Sequence, residues 1–236
     1  MAKAALPAAI LAALRKLDTP TVCNALEIAA PERRGFGYTT DPLFCARPEL
    51  PPVVAYARTA TLRAVQASAL VGAEAKARRL AYYEYVAAGP GPTIMAIQDL
   101  DGPRAGYGAW WGEVNTAVHK GLGCLGCVTD GSIRDLDMLA PGFQLLAGQV
   151  GPSHAFVHCV DFGTPVNVAG MAVRHGDLIH ADQHGAVVIP EALAAKVIQA
   201  AKLLARREAV VLKAARAKGF NIDKLSRAMA GADEIH

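Results

Sequence analysis

The sequence lacks most of the features that would place it in a specialised class. No uncharged apolar run approaches the roughly 18 residues of a membrane span. No block of five or six like charges occurs, the densest cluster being Arg206-Arg207, and the formal net charge is only +3. Binding to nucleic acid through bulk electrostatics is therefore not expected. Cysteines number five, an odd count in a chain of 236 residues, so no disulfide framework is expected. Cys124-Leu-Gly-Cys127 has no second ligand pair that would make it a zinc site, and it lies in a strand-like run rather than at a helix start. It reads as two small buried hydrophobes. Aromatics are sparse at 6%, and no glycine-rich strand-to-helix loop is followed by an acidic residue suited to S-adenosylmethionine.

What is present is a large supply of apolar side chains. Hydrophobic residues make up 53% of the chain and charged ones 19%, with a mean hydropathy of +0.23, which excludes disorder. The length suits one domain, residues 1–236, with a core that needs no cross-links. The start, Met1 to Leu14, superficially resembles a signal peptide. Arg15-Lys16 follows at once, however, and Leu6, Ile10, Leu14 and Leu17 recur at helical spacing. An amphipathic helix and a cytoplasmic location are expected.

Asp18-Thr19-Pro20 caps a second helix reaching about Ile28. Residues 31–52 read as loop with room for one short strand. Val53 to Val65 reads as a strand, and Gln66 to Ala88 as a helix with Leu70, Glu74, Ala77 and Leu80-Ala81 on one side. Thr93 to Ile97 and Cys124 to Thr129 read as strands covered on both faces. Between them lie a glycine-rich loop, 99–112, and a helix from Glu113 to Lys120 stopped by Gly121. Asp130-Gly131-Ser132 reads as a turn, with a short helix after Arg134. Strand candidates then recur at 143–146, 156–160, 165–168, 178–181 and 186–189, with 182–185 as a hairpin loop. Pro190 opens a long helix ending near Gly219. The fold class expected is α/β with a mixed sheet.

Chemistry concentrates between Gly108 and Asp135. Gly112 precedes a helix start, where free N–H groups can hold a carboxylate. The strand at 124–129 leads into Arg134-Asp135. An Arg fork binds carboxylate, and an Asp offers a hard oxygen to Mg²⁺ or Mn²⁺. That combination suits an α-keto acid held on a divalent metal. The same Arg-Asp pair could equally cap a helix or form a surface ion pair, and Glu113 could be an ordinary first-turn glutamate.

An acidic residue, Glu113, is followed after positions 114–133 by Arg134-Asp135. Two further stretches accompany it: Pro165 to Val173 with Gly176-Asp177 to Pro190, and Leu17-Asp18-Thr19-Pro20 to Leu26. In this order the three resemble the RraA-like family, named for the regulator of ribonuclease E activity A and including 4-hydroxy-4-methyl-2-oxoglutarate aldolases. The resemblance implies a swivelling α/β/β/α fold with a long C-terminal helix, and homotrimers or homohexamers with sites between subunits. It implies that Gly112, Glu113, Val114 and Asn115 bind the substrate carboxylate, that Arg134 contacts the keto oxygen, and that Asp135 ligates Mg²⁺ or Mn²⁺. It suggests Glu208, from a neighbouring subunit's C-terminal helix, as a further catalytic group. The activity implied is retro-aldol cleavage of a 4-hydroxy-2-oxo acid to pyruvate, with oxaloacetate decarboxylation through the same enolate. The alternative is a non-catalytic regulator that binds a ribonuclease or another protein.

Several features depart from the family pattern. Segment 66–108 is longer, Trp110-Trp111 lies near the site, and His175 precedes Gly176-Asp177. His180 and His184 have the spacing of a helical zinc pair but fall on a strand and turn, so no second metal is expected there. Tyr82, Tyr83 and Tyr85 read as packing residues. His119 and His154 are open between core or surface positions and the lining of an enlarged pocket.

Overall fold

The computed structural model describes residues 5–236. The first residues of the N-terminal helix expectation, Met1 to Ala4, lie outside the described residues. Helix α1 (Ala8–Leu14) leads into α2 (Thr19–Ala29), where the Asp18 carboxylate accepts the Thr21 N–H at 2.8 Å and Pro20 sits in the first turn. A two-residue strand, β1 (Phe44–Cys45), is the short strand of the 31–52 segment. Strand β2 (Val53–Arg63) is buried along nearly its whole length and crosses through α3 (Gly72–Ala87) to a parallel β3 (Thr93–Asp99).

The buried face of α3 is not the one expected. Tyr82 and Val86 point inward, while Leu70 and Leu80 are exposed. The reason is aromatic packing: Tyr82 meets Trp110, His119 and Phe162 edge to face, which outweighs the smaller aliphatic stripe. The C-terminus of α3 is capped by the buried Arg58, whose guanidinium donates to the carbonyls of Ala88 and Pro90.

The glycine-rich loop contains a short strand, β4 (Ala109–Trp111), followed by α4 (Glu113–Gly121) and β5 (Cys124–Ile133). Strand β5 runs through Asp130-Gly131-Ser132 rather than turning there. A bulge between Thr129 and Ser132 absorbs those residues, and the Asp130 carboxylate accepts the Asp99 N–H at 2.7 Å. The helix expected after Arg134 is a single 3₁₀ turn, Leu136–Met138. Then come β6 (Gln144–Val150), β7 (His158–Phe162), β8 (Val166–Val168), β9 (Met171–Val173), β10 (Leu178–Asp182) and β11 (Gly185–Ile189).

Among the described residues these form a nine-stranded mixed sheet in the order β1-β6-β5-β3-β2-β10-β11, with β4 on β5 and β7 on β2. The β8–β9 hairpin packs against the sheet, where Val166, Val168 and Met171 share a core cluster with Ala55, Ile94 and Val128. Outside the sheet, α1, α2 and α5 (Ala194–Ala215) cover one part, and α3 and α4 another. The fold is mixed α/β with a nearly closed sheet and a long C-terminal helix. That helix ends at Ala215, short of Gly219. A further helix, α6 (Ile222–Asp233), is capped by the Asn221 side chain and folds back on α5, where Arg206 and Arg207 bind the carbonyls of His236 and Ile235.

His180 and Asp182 tie the N-terminal helices to β10. The His180 ring binds Thr19 Oγ1 and the carbonyls of Leu14 and Leu17, and Asp182 accepts from the Thr19 N–H and from His184. His180 is thus a satisfied core histidine. Cys124 and Cys127 are fully buried thiols, as expected. No helix among the described residues is long and apolar enough to cross a membrane.

Candidate active site at the β4–α4 turn

Strands β4 and β5 run parallel, with Ala109 beside Ser132 and Trp111 beside Ile133. Both therefore end at the same level. Gly112 leaves one strand end and Arg134-Asp135 leaves the other, and the Arg134 N–H donates to the Trp111 carbonyl at 2.9 Å. The intervening α4 is the crossover that sets the spacing between Glu113 and Arg134. The C-terminal ends of parallel strands are where α/β folds build ligand sites.

Asp135 adopts a left-handed backbone, φ 54° and ψ 43°. Aspartate tolerates this conformation better than most residues, but it still stores strain that the surroundings must hold. The result is a carboxylate turned back toward the start of α4. Its Oδ2 accepts the Glu113 N–H at 3.3 Å and lies 3.6 Å from Arg134 Nε. Gly112 has an extended backbone that any residue could adopt. Glycine is needed there for space, because a Cβ would collide with the Asp135 carboxylate and crowd Arg134 Cγ.

Gly112, Glu113, Arg134 and Asp135 are thus brought together. Glu113 and Val114 are exposed, while the Arg134 and Asp135 side chains retain 38% and 35% of their accessibility, open to a ligand. The N–H groups of Val114 and Asn115 have no partner within the helix, as at any helix start. Glu208 is not part of this cluster within one chain. It is exposed on α5, which packs on α1, α2 and α6, whereas α4 packs on β4 and β5.

Asn115 is held from three sides, and this support was not visible in the sequence. Its Nδ2 donates to the Trp110 carbonyl at 2.5 Å, its Oδ1 accepts from Tyr83 Oη at 3.0 Å, and its main-chain carbonyl accepts from His119 Nδ1 at 2.7 Å. Because a carbonyl can only accept, the proton of His119 sits on Nδ1. Nε2 then accepts from Tyr82 Oη at 2.8 Å. Burial pushes the imidazole down to about 4, against the raising effect of the Asn115 carbonyl, so this ring is a neutral fixture and not an acid–base group. Trp111 packs against it at a tilt of 58°, with ring centroids 4.5 Å apart. The i, i+4 relation of Asn115 and His119 was legible, but their meeting with Tyr82 and Tyr83 was not. His154 lies elsewhere, exposed in the loop before β7, where its ring binds the Ala155 carbonyl.

The RraA-like family model, described as Aldolase/RraA, matches residues 19–188. The chain belongs to the RraA-like family. That family spans aldolase-type enzymes and RraA proteins, so membership leaves the activity open between them. Among curated proteins no match is found. Solved structures support the same fold. An uncharacterized protein from Pseudomonas syringae pv. tomato str. DC3000 is 21% identical with a TM-score of 0.69, over 96% of this chain and 99% of that one. RraAS2 of Streptomyces coelicolor, titled an unusual member of the RNase ES inhibitor RraA protein family, is 21% identical with a TM-score of 0.69, over 88% and 97%. RraA from Thermus thermophilis, titled an RNA-processing inhibitor, is 19% identical with a TM-score of 0.51, over 70% and 90%. At these identities the likeness is one of fold.

Proposed function

We propose that this RraA-like protein is a divalent-metal-dependent lyase that cleaves a 4-hydroxy-2-oxo acid to pyruvate, and that it also decarboxylates oxaloacetate. The observation that carries this reading is the convergence of Arg134 and the strained Asp135 on the start of α4, with Gly112 making the space.

The donor set suits Mg²⁺ or Mn²⁺. Among the described residues no group of three His, Cys, Asp or Glu side chains is gathered that could cage a metal ion. One accessible carboxylate, Asp135, fits a hard cation that keeps several waters and takes further oxygens from its ligand. When bound, such a cation would polarise the carboxylate and keto oxygens of the substrate.

The chain's own groups supply the rest. The free N–H groups of Val114 and Asn115 take the substrate carboxylate, helped by the helix dipole. The guanidinium of Arg134 donates to the keto oxygen. A water held by Glu113, or by Glu208 of a neighbouring subunit, relays the proton of the 4-hydroxyl to that carboxylate. The C3–C4 bond then breaks, its electron pair passes to the keto oxygen, and C4 becomes a carbonyl. Arg134 stabilises the resulting enolate oxygen, and protonation at C3 gives pyruvate. With oxaloacetate the departing group is carbon dioxide, and the same enolate forms.

The test is pyruvate release from 4-hydroxy-4-methyl-2-oxoglutarate and from oxaloacetate, with Mg²⁺ and with a chelator. Asp135→Ala and Arg134→Ala should each lose at least roughly 100-fold in kcat/KM while remaining folded, as read by circular dichroism. Turnover unchanged in these variants, or unaffected by the chelator, would overturn the assignment.

A further inference from the structure

A separate concavity of about 260 Å³ lies between α3, β4 and β7. It is close in size to the lower end of ordinary ligand pockets, roughly 300 Å³. Its exposed apolar wall includes Trp110, Leu70 and Val157, and its charged residues are Lys76, Arg78 and Arg79, with no aspartate or glutamate in the lining.

Arg78 is already engaged. Its Nη2 donates to the Val160 carbonyl at 2.7 Å and to Asp161 Oδ1 at 3.0 Å, and its guanidinium lies 4.4 Å from the Phe162 ring centroid. Lys76 and Arg79 have no ion pair among the described residues. The indole Nε1 of Trp110 is buried without a hydrogen-bond partner. The charged groups left without an ion pair, Lys76 and Arg79, are both donors. An occupant must therefore bring acceptors and negative charge. It must also bring an apolar body, because inorganic anions would leave the apolar wall of Trp110, Leu70 and Val157 bare.

We propose that this cavity binds an organic acid with an aromatic or branched apolar body, its carboxylate held by Lys76 and Arg79. The proposal does not depend on the lyase reading, since none of Gly112 to Asn115, Arg134 or Asp135 lines the cavity. Lys76 and Arg79 are exposed, so their replacement leaves the core intact.

Binding is read by calorimetry and by tryptophan fluorescence with 3-phenylpropanoate, with 3-phenylpropan-1-ol and inorganic phosphate as controls. Trp111 is fully buried, so a fluorescence response at the cavity is expected to come from Trp110 and to vanish in Trp110→Phe. The acid should bind saturably, and the alcohol and phosphate at least about tenfold more weakly. The double variant K76Q/R79Q should weaken the acid about tenfold and leave the alcohol unchanged. Equal binding of acid and alcohol, an unaltered double variant, or no saturable response to the acid would overturn the proposal.

Discussion

Asp130 shows how a single carboxyl in this fold couples stability to pH. Burial pushes it up to about 6 from the model-peptide value of 3.8, and the nearby charges of Asp99 and Asp41 add to the effect, against the N–H bond from Asp99. The folded state therefore binds a proton between about pH 4 and 6 that the unfolded chain has released. Stability contributed by this group is present below pH 4, falls as pH rises through 6, and stays low above it. Asp130→Asn keeps an oxygen to accept the Asp99 N–H and removes the charge. It should raise stability at pH 7.5 by about 1–2 kcal/mol, a figure reduced for the remaining solvent contact, and change it little at pH 4. Urea unfolding of wild type and variant at the two pH values checks this, and a difference independent of pH would refute it. The same burial explains the thiols. Cys159 is pushed up to about 12 and Cys23 to about 11, so neither is a thiolate at neutral pH.

At the scale of elements, α3 acts as the brace of α4. Tyr83 from α3 holds the Asn115 side chain, and Tyr82 holds the neutral His119 that grips the Asn115 carbonyl. Tyr83→Phe removes one hydrogen bond and leaves the ring in place. It should cost about 1 kcal/mol of stability and raise KM for the 2-oxo acid several-fold with little change in kcat. A loss confined to kcat would argue against a role in holding the carboxylate-binding turn. Little of this brace could be read in advance. Strands β2, β3, β10 and β11 were legible because each is a compact stretch rich in β-branched or small residues, free of proline and bounded by glycine, proline or polar turns. The Glu113 to Arg134-Asp135 spacing was legible because it is the length of one crossover. The Asp130-Gly-Ser segment misled because its composition is that of a turn, whereas the sheet uses it as a bulge. Tyr82 was legible as a packing residue, but the aliphatic side of α3 with Leu80 faces outward, because the edge-to-face contacts of Tyr82 with Trp110 and His119 depend on elements distant in sequence. Helix α6 was missed although Asn221 is an ordinary cap, since the Gly219 stop signal reads as the end of the helical region.

At the scale of the whole molecule, the proposed reaction has two candidates for its second carboxylate, and one of them, Glu208, is kept apart from Asp135 within one chain. Asp135 stands at the β4–β5 strand ends, while Glu208 is exposed on α5 beside Arg207, Val211 and Leu212, where α6 folds back. The outer face of this helix pair also leaves apolar side chains in water: Leu212 is 45% exposed, Ile222 74% and Met229 54%. Exposed large apolar groups on one helix pair suit a subunit contact. If a neighbouring copy brings Glu208 to the site, Asp135→Ala and Glu208→Ala damage opposite sides of one shared interface. Each variant alone should then be strongly impaired. Mixing them under conditions that allow subunits to exchange should restore activity, because about one interface in four would pair an intact Asp135 with an intact Glu208. Activity should also fall when the wild type is diluted below its assembly concentration, read by light scattering alongside pyruvate release. A mixture no more active than the average of its two components, or a monomer that turns over at the full rate, would return the whole site to a single chain.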